Sequence, residues 1–289
     1  MSEKLQIFLD LTRLKRPIGY MLLFWPCAWG LTIVYDFSTS LKLYFFYLML
    51  FLLGAVLMRS AGCIVNDIFD RKFDKEVSRT KNRPIASGKI TVNLGLFYST
   101  ILCLLAFFVL INFILFTIIL ALASMPLAFT YPLMKRFTYW PQLFLGITFN
   151  YGLLLGWTSI KGEIDIIPII IYLGAIFWTL GYDTIYGFQD IEDDEIIGVK
   201  STSIKFKENP KIFLTICYLI FILVLIITGI KLALNKIFFL GVFLIMIHLF
   251  FFQVYRLNKN NKTRCLNIFK SNNFLGLMTS ISIILGKVL

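Results

Sequence analysis

The sequence predicts an all-α membrane protein of about nine transmembrane helices. Three observations carry that expectation. Hydrophobic residues make up 58% of the 289-residue chain and mean hydropathy is +0.82, whereas soluble globular proteins are roughly 45–50% apolar. Apolar runs close to the ~20 residues that cross a bilayer recur from one end to the other. Between them, basic residues collect in every second connecting segment, the pattern that orients polytopic membrane proteins.

Apolar length places the spans at roughly 18–35, 43–65, 93–111, 113–131, 141–160, 166–188, 212–230, 236–255 and 273–287. The first follows a basic N-terminal segment holding Lys4, Arg13, Lys15 and Arg16. The second ends in an acidic window and a loop with Arg71, Lys72, Lys75, Arg79, Lys81, Arg83 and Lys89. The third and fourth join on the opposite side, and Lys135 and Arg136 follow the fourth. The fifth and sixth join near Lys161. The sixth ends in a second acidic window, ahead of Lys200, Lys205, Lys207 and Lys211. The seventh and eighth join through Lys231 and Lys236, and Arg256, Lys259, Lys262, Arg264 and Lys270 lead into the ninth. One side thus carries 22 of the 28 basic residues and the other carries five, while Arg59 lies inside the second span. The asymmetry puts the N-terminus and the acidic windows in the cytoplasm and the C-terminus outside. The expected location is a bacterial inner (cytoplasmic) membrane. No long polar linker interrupts the chain, so one domain, 1–289, is expected.

Composition also excludes several classes. The net charge of +12 is spread over alternate loops rather than one patch, which argues against nucleic acid as a partner. Cys27, Cys63, Cys103, Cys217 and Cys265 form no C-x-x-C pair, so neither a disulfide framework nor a zinc site is expected. His248 is the only histidine and lies in an apolar run, which removes His-based metal sites and His-dependent triads. Residues 1–17 lack the apolar core and small-residue cleavage site of a signal peptide.

Ten of the sixteen acidic residues fall in two windows: Asp67, Asp70, Asp74 and Glu76, then Asp183, Asp190, Glu192, Asp193, Asp194 and Glu195. Acids at a membrane are expensive, and two such clusters suggest a shared cation site, most simply Mg²⁺. Asn66, Asp70 and Asp74 are spaced i, i+4, i+8, and Arg59 is seven residues before Asn66, so all four share a face if the helix continues. Asp190 and Asp194 are again i, i+4, with Asp183 seven residues earlier. Both windows end spans that run toward the same side. Mg²⁺ usually takes a few carboxylates and completes its shell with substrate phosphates. Arg71, Lys72, Arg79, Arg83, Lys135, Arg136 and Lys200 lie nearby to neutralise the remaining phosphate charge. A cation transporter is the rival from another class, but its acids would sit at interrupted helices in mid-membrane. Here they sit at helix ends beside basic loops.

These residues resemble the UbiA-type intramembrane prenyltransferases along nearly the whole chain. The N-D-x-x-D-x-x-x-D signature is Asn66, Asp67, Asp70 and Asp74. An R-T-x-N-R-P-x-x-S-G block runs from Arg79 to Gly88, a Y-P-x-x-K-R element from Tyr131 to Arg136, and the second acidic motif with its K-S-T tail from Asp190 to Thr202. The likeness is nearest to members that prenylate 4-hydroxybenzoate in ubiquinone synthesis, through R-P-I-G-Y-M-L-L-F-W-P from Arg16, L-M-R-S-A-G-C-I-V-N-D from Leu57, and Y-D-T-I-Y from Tyr182. Glu192 stands where that subgroup often has Asp, which keeps the charge. The resemblance implies a helical bundle around a central cavity open sideways to lipid, with polyprenyl diphosphate and 4-hydroxybenzoate as substrates and Mg²⁺ as cofactor.

The expected metal ligands are Asn66, Asp70, Asp190 and Asp194. The expected catalytic acids are Asp67, Asp183 and Asp190. Asp183 suits a base because it lies deeper on the face of the ligands, and Asp67, Asp74 and Asp193 are further base or support candidates. Arg59 is expected to bind the substrate carboxylate, with a counter-ion role for the acids as the alternative. Tyr182 and Tyr186 are candidates for shielding a carbocation. Arg13 and Arg16 lie on the approach to the phosphates.

Overall fold

The structure is a computed structural model that describes residues 3–289, and all regular structure among them is helical. A short helix α1 (Glu3–Thr12) precedes α2 (Ile18–Val34), α3 (Leu41–Asp74) and α4 (Val92–Leu110). The fourth span is broken into α5 (Leu115–Ala123), α6 (Met125–Thr130) and a 3₁₀ turn at Tyr131–Arg136. Pro126 and Pro132 open the last two pieces; each removes a backbone donor and restarts the helix where that donor is not needed. Then come α7 (Pro141–Lys161), α8 (Ile166–Gly187), two short helices α9 (Ile191–Ile197) and α10 (Thr202–Lys205), and α11 (Pro210–Lys231). Helix α12 (Lys236–Ile247) runs on into a π-helical turn at His248–Tyr255, and α13 (Lys262–Val288) ends the chain. Eight of these segments are long and apolar enough to cross a membrane. With the shorter apolar α2, that gives nine.

The packing centres on α2 and α7. A Cβ on Gly30 would lie 2.0 Å from the carbonyl oxygen of Leu153, and one on Gly156 would lie 2.2 Å from that of Cys27. Only glycine lets the two backbones touch, as small residues do at helix seams in membranes. From this pair the spans close a ring: α7 packs on α8, α8 on α11, α11 on α12, α12 on α13, and α13 back on α2. Buried polar side chains cross-link that half. Tyr218 donates to Gln253 (2.6 Å), Gln253 to Asn272 (3.0 Å) and Trp178 to Asn272 (2.8 Å). Gln253 sits in the π-helical turn, which reseats it toward α13. Helices α3 and α4 pack together on the other side.

Helix α3 sets the depth of the site. Its 34 residues at ~1.5 Å each make about 51 Å, well beyond a hydrocarbon core of about 30 Å. The turns from Asn66 onward therefore emerge on the basic side. There a second, smaller core forms: Leu11 of α1 packs with Ala61, Ile64 and Ile68 of α3 and with Ile85 and Ile90 of the following loop.

One expected boundary and one expected helix face change. Helix α13 starts at Lys262, well before 273, because its polar first turns are helical although not apolar. Helix α8 stops at Gly187, so Asp183, Asp190 and Asp194 do not share one continuous helix face. A turn at Phe188–Asp190 intervenes, and Asp190 instead caps α9, its carbonyl accepting from the Asp194 amide at 2.8 Å.

Candidate active site

Two cavities meet inside the bundle. The first, of about 320 Å³, opens on the basic side and is lined by both acidic windows: Asn66, Asp70 and Asp74 from α3, and Asp183, Asp190 and Asp194 from α8 and the turn into α9. Arg13, Arg16, Arg59, Arg79, Arg83, Lys135 and Lys200 also line it. The second, of about 480 Å³, is almost wholly apolar and runs between α3, α4, α5–α6 and α7. Phe107 and Leu122 line it and are also 43% and 47% exposed, so it opens sideways between α4 and α5. Arg59, Tyr131 and Phe149 belong to both linings and mark the junction.

Each acid on the α3 side is held by a base. Lys135 Nζ lies 2.5 Å from Asp70 Oδ2. Arg83 Nη1 bonds both oxygens of Asp74, at 3.0 and 2.9 Å. Across the cavity Arg79 forks onto Asp190, with Nε at 2.7 Å from Oδ1 and Nη2 on Oδ2, and also donates to the Tyr186 hydroxyl at 3.0 Å. Lys135 is set by the 3₁₀ turn, whose Lys135 carbonyl accepts from the Lys200 amide at 2.9 Å. That bond ties the turn to the strand of chain after α9. Burial, with the charge of Asp190 added, pushes the Asp194 carboxyl up to about 6.

Several polar groups face the cavity without a partner. The side chains of Asn66, Asp183 and Asp194 hydrogen-bond to none of the described residues, and Oδ1 of Asp70 is buried and unbonded. Arg59 makes no ion pair either; its guanidinium lies over the Phe149 ring, 5.3 Å from the centroid. No group of three or more acids among the described residues is already gathered as a cage. The donor set instead fits a hard cation that takes one or two carboxylates and finishes its shell with water and phosphate. The unbonded oxygen of Asp70 is a ready donor for it.

Some expected residues lie elsewhere. Asp67 is 1% exposed and absent from the lining, because Arg13 and Arg83, which do line the cavity, close over it. Its Oδ1 accepts from Arg13 and from Arg83 (3.2 Å). Arg71 folds back onto the Ile68 carbonyl (2.9 Å), Lys72 points to solvent, and Arg136 donates to the Phe69 carbonyl (2.8 Å) while covering Phe73. None of these three lines the cavity. Tyr131 and Phe149 at the junction are not among the expected site residues. Tyr131 opens the Y-P-x-x-K-R element, whereas nothing in the spacing of Phe149 separates it from the other aromatics of an aromatic-rich chain.

A model described as the UbiA prenyltransferase family matches residues 23–277. The chain belongs to the UbiA family. Its curated relatives include the mitochondrial 4-hydroxybenzoate polyprenyltransferases of Rattus norvegicus, 41% identical over 98% of this chain and 75% of that protein, and of Arabidopsis thaliana, 46% identical over 74% of this chain and 53% of that one. Among solved structures, a UbiA homologue from Aeropyrum pernix K1 has a TM-score of 0.72 at 21% identity, covering 93% of this chain and 97% of that chain. A homologue from Archaeoglobus fulgidus bound to GPP and Mg²⁺ has a TM-score of 0.68 at 18% identity, covering 96% and 99%. At such identities these structures establish the fold.

The relatives correct the expected location. Those of rat, human and Arabidopsis are all mitochondrial enzymes, which points to an integral membrane protein of mitochondria, not of a bacterial inner membrane. Charge asymmetry orients a chain across a bilayer but does not say which bilayer it is.

Proposed function

We propose that this UbiA-family protein transfers a polyprenyl group from polyprenyl diphosphate to 4-hydroxybenzoate in ubiquinone biosynthesis. The bond forms at the ring carbon ortho to the hydroxyl and meta to the carboxylate, and diphosphate is released. One observation carries the reading: a charged cavity and an apolar cavity meet at Arg59, Tyr131 and Phe149. A substrate with a diphosphate head and a hydrocarbon tail needs both compartments, and its allylic carbon falls where they join. The acceptor is taken from the relatives, similar over nearly the whole chain.

Asn66, Asp70, Asp190 and Asp194 are the residues that hold Mg²⁺, which when bound supplies Lewis-acid stabilisation of the leaving diphosphate. Arg79, Arg83, Lys135 and Lys200 bind the phosphate oxygens. Cleavage of the allylic C–O bond leaves positive charge at the junction, where the rings of Tyr131 and Phe149 face it and apolar walls exclude water. Arg59 binds the carboxylate of the acceptor and so turns the phenol side of the ring toward that carbon. Asp183 lines the same cavity and accepts no hydrogen bond, which leaves it free to take the ring proton.

Purified protein given polyprenyl diphosphate with 4-hydroxybenzoate, homogentisate or a naphthoate tests this. Prenylated 4-hydroxybenzoate and stoichiometric diphosphate are expected. Transfer to a rival acceptor alone would refute the acceptor, and absence of diphosphate release with any acceptor would refute the reaction.

A further inference from the structure

Asp67 stands in the middle of the acidic signature, yet it is buried behind Arg13 and Arg83 and does not line the cavity its neighbours line. Three observations show what holds it there. Its Oδ1 receives two guanidinium groups, Arg13 from the N-terminal segment and Arg83 from the loop after α3. Arg13 has no other carboxylate partner among the described residues, whereas Arg83 also holds Asp74. Arg13 has φ +56°, in the left-handed region, which a long side chain adopts at a cost and keeps only where the surroundings fix it. Just before it, Leu11 plugs the small core against Ile64 and Ile68, so the chain must turn sharply at Arg13 to reach the Asp67 side of α3. Thr12, Arg13 and Arg16 form part of the cavity wall as a result.

We infer that Asp67 is a positioning residue that clasps the N-terminal segment through Arg13, closing that segment over the polar cavity and setting Arg13 and Arg83 toward the diphosphate. Asp67 itself touches neither metal nor substrate. The role rests on the prenyl-transfer reading for its kinetic consequence, but the clasp is a physical contact that can be measured without turnover.

The experiment compares Asp67→Asn, Arg13→Ala and the double variant with the unaltered protein, in two assays. The first is amide hydrogen exchange over Glu3–Thr12. Faster exchange in both single variants supports the clasp; unchanged exchange overturns it, whether or not the protein shows activity. The second is steady-state prenyl transfer. Losing a charge-assisted contact is expected to raise the KM for polyprenyl diphosphate roughly ten- to hundred-fold in either single variant. The KM for 4-hydroxybenzoate and the Mg²⁺ dependence should stay unchanged. Because Asp67→Asn already breaks the Arg13 contact, the double variant should be little worse than Asp67→Asn alone. A fall in kcat with a shifted Mg²⁺ dependence in Asp67→Asn, and none in Arg13→Ala, would make Asp67 a base or ligand and overturn the inference. Arg13 lies at the rim with 21% of its side chain exposed, so Arg13→Ala keeps the test available if Asp67→Asn fails to fold. Arg13→Lys should recover part of the loss.

Discussion

Arg59 offers the sharpest test of how the acceptor is held. Its guanidinium sits at the junction of the two cavities, over Phe149, with no carboxylate within ion-pairing distance among the described residues, although its charge acts on Asp183. The neighbouring cations Arg13, Arg79, Arg83 and Lys135 are all ion-paired. That difference argues against a counter-ion role and leaves Arg59 available to a substrate carboxylate. Arg59→Ala removes a charge-assisted contact of about 1.5–3 kcal/mol. At about 1.4 kcal/mol per factor of ten, the KM for 4-hydroxybenzoate should rise roughly ten- to hundred-fold. Lysine keeps the charge but not the two-pronged fork, so Arg59→Lys should recover only part. Position can be tested separately from charge. A Cβ on Gly19 would lie 2.9 Å from Arg59 Nε, so Gly19→Ala pushes the guanidinium aside without removing it. It should give a smaller rise in the same KM. The assay is steady-state transfer with each substrate varied in turn at saturating Mg²⁺, then with Mg²⁺ varied. A rise in the KM for prenyl diphosphate together with a shifted Mg²⁺ dependence, with the aromatic KM unmoved, would refute the assignment.

Other outcomes follow from the same geometry. Chelation with EDTA should abolish transfer and added Mg²⁺ should restore it; full turnover without divalent metal would remove the proposed ligand role. Asp70→Ala and Asp194→Ala should each lower kcat by several orders of magnitude while the protein still folds, as judged by its melting temperature. Near-normal rates in either would remove that residue from the ligand set. Gly54 lines the apolar cavity with nothing within 4 Å of its would-be Cβ, so Gly54→Leu should raise the KM for long-chain diphosphates more than for short ones; equal effects would place the tail elsewhere. Gly156→Val should lower thermal stability by about 1–3 kcal/mol, because its side chain would enter the Cys27 carbonyl. An unshifted melting temperature would count against the tight α2–α7 seam.

The spans were legible because crossing a bilayer imposes a length and a composition, and both are written locally. Helix α13 shows the limit of that signal. Its first turns hold Lys262, Arg264, Lys270 and Asn272, which the expected span 273–287 leaves out. Asn272 is nevertheless fully buried, since its amide is satisfied by Trp178 and Gln253, partners far off in the chain. The spacing in the first acidic window matched one long helix, α3. In the second, the same kind of spacing spans a turn, and what Asp190 faces is decided by Arg79 arriving from another loop. The role of Asp67 was equally out of reach: Asn66, Asp67 and Asp70 belong to one motif, and Asp67 is set apart by Arg13 and Arg83, which reach it from other segments. Tyr131 and Phe149 gain significance only because two cavities happen to share them.

The pairing of acids with bases inside the charged cavity has a thermodynamic consequence. Asp190, held by Arg79 through both oxygens, cannot turn to a cation without giving up Arg79, whereas Asp70 can offer its unbonded Oδ1 but then shares its charge between the cation and Lys135. Lys135 and Arg79 likewise cannot turn to a phosphate while they keep their carboxylates. A lone ion of either sign would strand one charge from each broken pair, partly buried and uncompensated, which costs several kcal/mol. When metal and diphosphate arrive together, every displaced group finds a new partner and the exchange is close to electroneutral. Affinity for each is therefore linked to occupancy by the other, and by reciprocity the coupling is the same in both directions. The resting protein should hold its cation weakly and retain it firmly only once a lipid diphosphate is seated.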